Sequence, residues 1–176
     1  MTIYFITGNE NKFREAKSFI PNLERLNLEL SEIQSIDSEE IIKHKLLEAK
    51  EKHSGSFIVE DTSFYIDGMN GLPGPLIKWF EKTIGLESIA NLTLLYGTKA
   101  SAKCVLGIYN EKEIKFFEGI IKGKVVDPIG ENGFGWDKIF IPDGYEKTFA
   151  EMTSDEKNGI SMRRIAFEKL KDYLNK

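Results

Sequence analysis

In the first sixty residues, short β-rich apolar runs alternate with stretches whose apolar residues recur at helical spacing, and this order constrains the fold more than any other feature. Ile3 to Thr7 predicts a buried strand. Gly8-Asn9 breaks it, and Phe13, Ala16, Lys17 and Ile20 then mark a helix that Pro21 stops. Leu26, Leu28 and Leu30 alternate with Asn27, Glu29 and Ser31, the pattern of a half-buried strand. Ser38 caps a charged helix with an inner stripe of Ile41, Ile42, Lys45, Leu46 and Ala49. Phe57 to Glu60 is a short buried strand ending in Asp61-Thr62. A glycine- and proline-rich loop follows, then helical stretches near 77–84 and 87–96. Segments 102–109, 114–119 and 121–126 read as three successive strands, which predicts antiparallel pairing there. The stretch 130–145 is loop-rich, Thr153 and Glu156 form a capping box, and a last helix turns Ile165, Ala166, Leu170 and Leu174 inward. The expected fold is α/β: a central, elongated mixed sheet flanked by helices, one domain over residues 1–176 with two lobes around a cleft.

Composition narrows the classes of function. A chain of 176 residues can bury roughly two-thirds of its unfolded surface and needs no staple. The net charge of −4 excludes a general binder of nucleic-acid backbone, which needs a basic face. Cys104 is the single cysteine, so no intrachain disulfide can form, and a cytoplasmic location is expected. No apolar run reaches about 18 residues, and the first residues lack the pattern of a secretion signal, so no membrane partner is expected.

Four segments can carry chemistry. Thr7-Gly8-Asn9-Glu10-Asn11-Lys12 sits at a strand-to-helix turn, where helix N–H groups, the Thr7 and Asn9 side chains and the Lys12 ammonium suit phosphate. It is neither a GxxxxGK[ST] nor a GxGxxG loop, and capping by Asn9 explains the asparagine by itself. Glu60-Asp61-Thr62 presents paired acids of the kind that hold Mg²⁺ beside a substrate phosphate; a loop cap at Asp61 accounts for it equally. Phe134-Gly135-Trp136-Asp137 can clamp a flat base between aromatics, or simply anchor a loop in the core. Lys157 to Arg164 leads into the last helix with Ser161 and basic donors, an acceptor-binding corner or an ordinary capped start. His44 and His53 lie on one charged helix with no third histidine, which excludes a histidine zinc site and a Ser-His-Asp triad. Lys45 falls on the apolar side of its helix, either at a cleft or snorkelling.

In order along the chain, Thr7-Gly8-Asn9 with Lys12 and Glu15, Glu60-Asp61-Thr62, Gly71-Leu72-Pro73-Gly74-Pro75, Phe134-Gly135-Trp136-Asp137, and Thr148 to Met152 with Lys157-Asn158 and Ser161 resemble the inosine triphosphate pyrophosphatase family. The resemblance runs from Ile3 to about Leu170. It implies hydrolysis of deaminated purine nucleoside triphosphates (ITP, dITP, XTP) to the monophosphate and pyrophosphate, with Mg²⁺, by a homodimer. The triphosphate contacts it implies are Thr7, Asn9, Lys12 and Lys45, with Gly8 and Thr62 in the same substrate-binding set and Lys78 as a further nucleotide contact. It implies Asp61 and Glu32 as metal ligands and Asp61 as the general base. The base pocket falls on Phe134, Gly135, Trp136, Asp137, Lys157, Ser161, Met162 and Arg163. The alternative is a nucleotide-binding sensor or scaffold with little turnover. One departure stands out: the family reads Ser-His-Arg where this chain reads Ser161-Met162-Arg163. A thioether cannot donate the hydrogen bond of an imidazole. Restoring histidine is therefore expected to tighten ITP binding by about 0.5–1.5 kcal/mol.

Overall fold

The computed structural model describes residues 2–175. The elements are β1 (Ile3–Ile6), α1 (Glu10–Phe19), β2 (Glu24–Leu26), α2 (Ser38–Lys52), β3 (Ser56–Ile66), β4 (Pro73–Gly74), α3 (Ile77–Tyr96), β5 (Lys99–Tyr109), β6 (Ile114–Val125), β7 (Phe140–Pro142), α4 (Ser154–Asn158) and α5 (Met162–Leu174). Short 3-10 helices cover Asp67–Met69 and Gly135–Ile139. The sheet has the order β2-β1-β3-β5-β6-β7, with β4 added to β3. It is mixed, as expected: β1 pairs in parallel with β2 and β3, whereas β3–β4 and β6–β7 are antiparallel.

The chain forms two compact units. The first takes in the chain up to Thr62, Cys104–Gly119 and the chain from Arg163 on; the second takes in Ser63–Lys103 and Ile120–Met162. In the first, α2 turns Ile42, Leu46 and Ala49 onto Ile6, Phe57, Val59 and Val105, with Leu26, Leu28 and Leu30 packed at the margin. The helix seats on β5 at Gly107, where an added Cβ would meet Ile42 Cγ2 at 2.2 Å. On α5, Phe167 stacks on Phe19 and meets Phe5 edge-on. In the second unit, Phe64, Trp136, Phe140 and Phe149 form an aromatic cluster, with Phe64 and Trp136 centroids 4.7 Å apart.

Several boundaries differ from the sequence expectation. β3 runs eleven residues, so Glu60-Asp61 lies mid-strand rather than at its end. β6 is one strand where two were expected; Gly119 is buried within it and does not interrupt the ladder. β2 stops at Leu26, and Leu28 and Leu30 pack on the core from outside any strand. Asp37, not Ser38, caps α2 by accepting from the Glu39 N–H. The stretch 77–96 is helical on both sides of a kink at Gly85 (φ 79°), matching the two helical stretches expected.

Candidate active site

The turn from β1 to α1 is built by its own polar side chains. Asn9 Oδ1 accepts from the N–H groups of Asn11 (2.9 Å) and Lys12 (3.3 Å), and Thr7 Oγ1 accepts from the Asn9 N–H at 3.1 Å. The expected cap is thus present. It fixes the first turn of α1, from which Lys12 projects, at the positive end of the helix dipole.

The Lys12 ammonium lies 3.1 Å from Glu60 Oε1 on β3. Glu60 is the centre of a buried ionic hub. Arg163 of α5 grips both its oxygens, through Nε and Nη2 at 2.8 Å each, and Thr62 Oγ1 donates to Oε1 at 2.6 Å. Arg163 Nη1 also pairs with Glu15 of α1. Burial alone would raise the Glu60 pKa, but the charges of Arg163 and Lys12 and the hydrogen bonds from Arg163 and Thr62 hold its carboxyl well below the usual carboxylate range. Burial likewise opposes the Arg163 charge, and Glu60 and Glu15 more than restore it. Two-point capture of a carboxylate is the geometry a planar guanidinium favours. Asp61, the next residue, points to the opposite face of the pleat and is only partly buried.

Glu32 and Lys45, assigned to metal and phosphate by resemblance, form a salt bridge with each other. Asp61 and Glu32 offer carboxylate oxygens only, the donor type of a hard divalent cation. The described residues contain no cluster of three or more His, Cys, Asp or Glu suited to a metal. A pair still fits Mg²⁺, which takes one or two carboxylates and fills its shell with water and substrate phosphate.

In the second unit, the Phe134–Asp137 loop closes on itself. Asp137 Oδ2 accepts from the Phe134 N–H at 2.8 Å and from Lys157 Nζ at 2.7 Å, both side chains of the ion pair being buried. Gly133 (φ +74°) permits this, since a Cβ there would meet Asp137 Oδ2 at 2.2 Å. The Lys157 ammonium stands 4.6 Å from the Phe134 ring centroid, a cation–π contact. The Ser161 backbone N–H bonds the Lys157 carbonyl at 2.9 Å, and Ser161 and Met162 are buried.

The sequence pattern of the Ham1 family matches residues 3–173. This chain belongs to the Ham1 family. The inosine triphosphate pyrophosphatase of Schizosaccharomyces pombe is 40% identical to it, over 98% of this chain and 95% of that protein. That of Pyricularia oryzae is 42% identical, over 98% and 93%. The solved Ham1 protein of Staphylococcus aureus superposes with a TM-score of 0.85 at 25% identity, covering 99% of this chain and 98% of that one. A Coxiella burnetii HAM1 protein gives a TM-score of 0.87 at 22% identity and 99% coverage of both chains, a likeness of fold. The family resemblance read from the motifs is borne out.

Against the Ham1 motifs, the structure draws Lys12, Glu15, Glu60, Thr62 and Arg163 into one hub in the first unit. Phe134, Asp137 and Lys157 gather in the second. Trp136 follows the second of its two sequence readings: it is buried against Phe64, Phe140 and Phe149 and anchors the loop. Lys78 is exposed on α3, over the Trp79 ring. Two features escaped the sequence reading. Glu60 reads there as one of two paired acids rather than as the centre of a hub, because its partners lie 48 and 103 positions away, beyond any local pattern. Glu81 of α3 is half-buried by the loop; a Cβ on Gly135 would lie 3.5 Å from its Oε2. Burial, then the charge of Asp137, pushes its carboxyl up.

Proposed function

We propose that this protein hydrolyses deaminated purine nucleoside triphosphates (ITP, dITP and XTP) to the monophosphate and pyrophosphate, removing them before polymerases incorporate them. Family membership with inosine triphosphate pyrophosphatases at about 40% identity supports the substrate class. The observation that carries the chemistry is the 3.1 Å contact from Lys12 to Glu60, which ties the phosphate-type turn to the residue that precedes Asp61 on β3. On this reading Thr7, Gly8, Asn9, Lys12, Lys45 and Thr62 bind the triphosphate, and their donors and cations offset charge that grows on the leaving pyrophosphate. Asp61 takes a proton from water as the water oxygen bonds to the α-phosphorus. The bond from that phosphorus to the bridging oxygen then breaks, and pyrophosphate departs. Asp61 and Glu32 would hold Mg²⁺, which when bound supplies further neutralisation of the phosphates.

Base selection falls to Phe134, Gly135, Trp136, Asp137, Lys157, Ser161, Met162 and Arg163, with Lys78 a further nucleotide contact. Phe134 supplies a stacking face, and donors such as Lys157 suit the 6-oxo acceptor that separates hypoxanthine and xanthine from adenine, whose 6-amino group would be mismatched. A cytoplasmic homodimer completes the reading. Pyrophosphate release from ITP, XTP, ATP and GTP, with Mg²⁺ and with excess chelator, tests it. ITP and XTP are expected to turn over far faster than ATP, and only with the cation. Tight ITP binding without turnover would point instead to a sensor.

A further inference from the structure

We propose that Arg25 is a positioning residue for the triphosphate turn: its guanidinium holds the Thr7 and Gly8 carbonyls back, so that the turn meets a polyphosphate with the Gly8 N–H and the Thr7 hydroxyl. This rests on the function proposed above. Arg25 lies on β2, opposite Phe5 in the parallel pair with β1. Its Nε donates to the Thr7 carbonyl at 3.1 Å and its Nη2 to the Gly8 carbonyl at 3.2 Å, while Nη1 pairs with the Glu10 carboxylate. One side chain thus ties the turn at Thr7, Gly8 and Glu10.

The consequence follows from peptide geometry. In a planar trans peptide the C=O and N–H point in opposite directions. Fixing the Thr7 and Gly8 carbonyls on Arg25 turns the N–H groups of Gly8 and Asn9 to the other side. There the Asn9 N–H meets Thr7 Oγ1 at 3.1 Å, which uses that oxygen as an acceptor and leaves the hydroxyl proton for an acceptor of its own. A carbonyl swung toward a triphosphate would oppose binding. Because Glu10 balances the Arg25 charge, the contribution is one of geometry. It requires the planar fork: a lysine ammonium is a point charge and cannot span both carbonyls in this way. Arg25 lies outside the motifs that carry the family resemblance.

The test compares wild type, Arg25→Ala and Arg25→Lys by KM and kcat for ITP, and by calorimetric affinity for inorganic tripolyphosphate. Both variants are expected to raise KM about tenfold, a 1.4 kcal/mol effect, with kcat within about threefold of wild type, and to weaken tripolyphosphate by a similar factor. An unchanged KM in Arg25→Ala, a fall in kcat alone, or full rescue by Arg25→Lys overturns the proposal; rescue would mean that charge suffices. If Arg25→Ala does not fold, Arg25→Lys, which keeps the stem and the charge, decides. If wild type binds tripolyphosphate, both variants bind it about tenfold more weakly, and ITP is not hydrolysed, the proposed activity falls and the role of Arg25 stands. Wild type that binds neither ITP nor tripolyphosphate overturns both.

Discussion

Glu60 and Asp61 are consecutive on β3 and meet opposite environments. Asp61 is the residue on which the proposed chemistry depends, so Asp61→Asn is expected to abolish pyrophosphate release from ITP while leaving the melting temperature near wild type; near-normal turnover would remove it from the mechanism. Glu60 is locked to Arg163 and Lys12, and Glu60→Gln leaves two cations without their shared counter-charge. Breaking a buried pair of this kind costs about 3–5 kcal/mol. The pH dependence has a definite sign. An unfolded glutamate titrates near pH ~4.3, and the folded Glu60 value is depressed, so its contribution is complete above that pH and is lost as pH falls toward the folded value. Melting temperatures measured between pH 7 and 3 should fall for wild type more steeply than for Glu60→Gln; parallel curves would contradict the assignment. Met162 is where structure changes a sequence expectation. The family comparison implies that histidine would restore a hydrogen bond, yet Met162 is 1% exposed and fills core space. Met162→His is therefore expected to lower the melting temperature and raise KM for ITP, because a buried polar group without a partner costs about 1–3 kcal/mol. A lower KM would show that the lost contact is recoverable.

Among the elements, helices were the more legible. The inner stripe of α2, the Asn9 cap of α1 and the Thr153–Glu156 capping box all follow from local patterns, and the structure shows each. Strand limits were less legible, because a strand is ended or continued by its neighbours. β3 runs on through Asp61 and Thr62 to pair with β4, and β6 passes Gly119 on its way to β7. The same reason hid the hub: Arg163 reads locally as a donor near a helix start, and only the fold brings it to Glu60 and Glu15. The seat of α2 on β5 offers a check at this scale. Gly107→Ala places a methyl 2.2 Å from Ile42 Cγ2, so overpacking of about 1–3 kcal/mol is expected. Denaturant melts should register the loss, with KM for ITP within a factor of two. An unchanged midpoint would mean that α2 can shift without cost.

For the molecule as a whole, the proposed homodimer has a defined candidate surface. Apolar residues cluster in the sequence at Leu72, Leu76, Ile77, Trp79 and Phe80; of these Ile77 is buried, while Leu72 and Trp79 are exposed. The far end of α3 adds Leu94 and Leu95, more than four-fifths exposed. Light scattering is expected to give twice the 20.1 kDa chain mass at micromolar concentration, and Leu94→Lys with Leu95→Lys to shift it toward one chain. A single-chain mass for wild type would remove the dimer from the reading. The ionic hub carries a last consequence, for how the protein is made. Arg163 reaches Glu60 across 103 positions and Glu15 across 148. A ribosome working from the amino end releases both acids long before the arginine that neutralises them. Until then Glu60 has Lys12 but not Arg163 beside it, and burying its carboxylate is the more costly. The guanidinium is therefore the last member of the hub to be synthesised, and a chain cut before residue 163 is expected to be cleaved by added protease faster than the full chain.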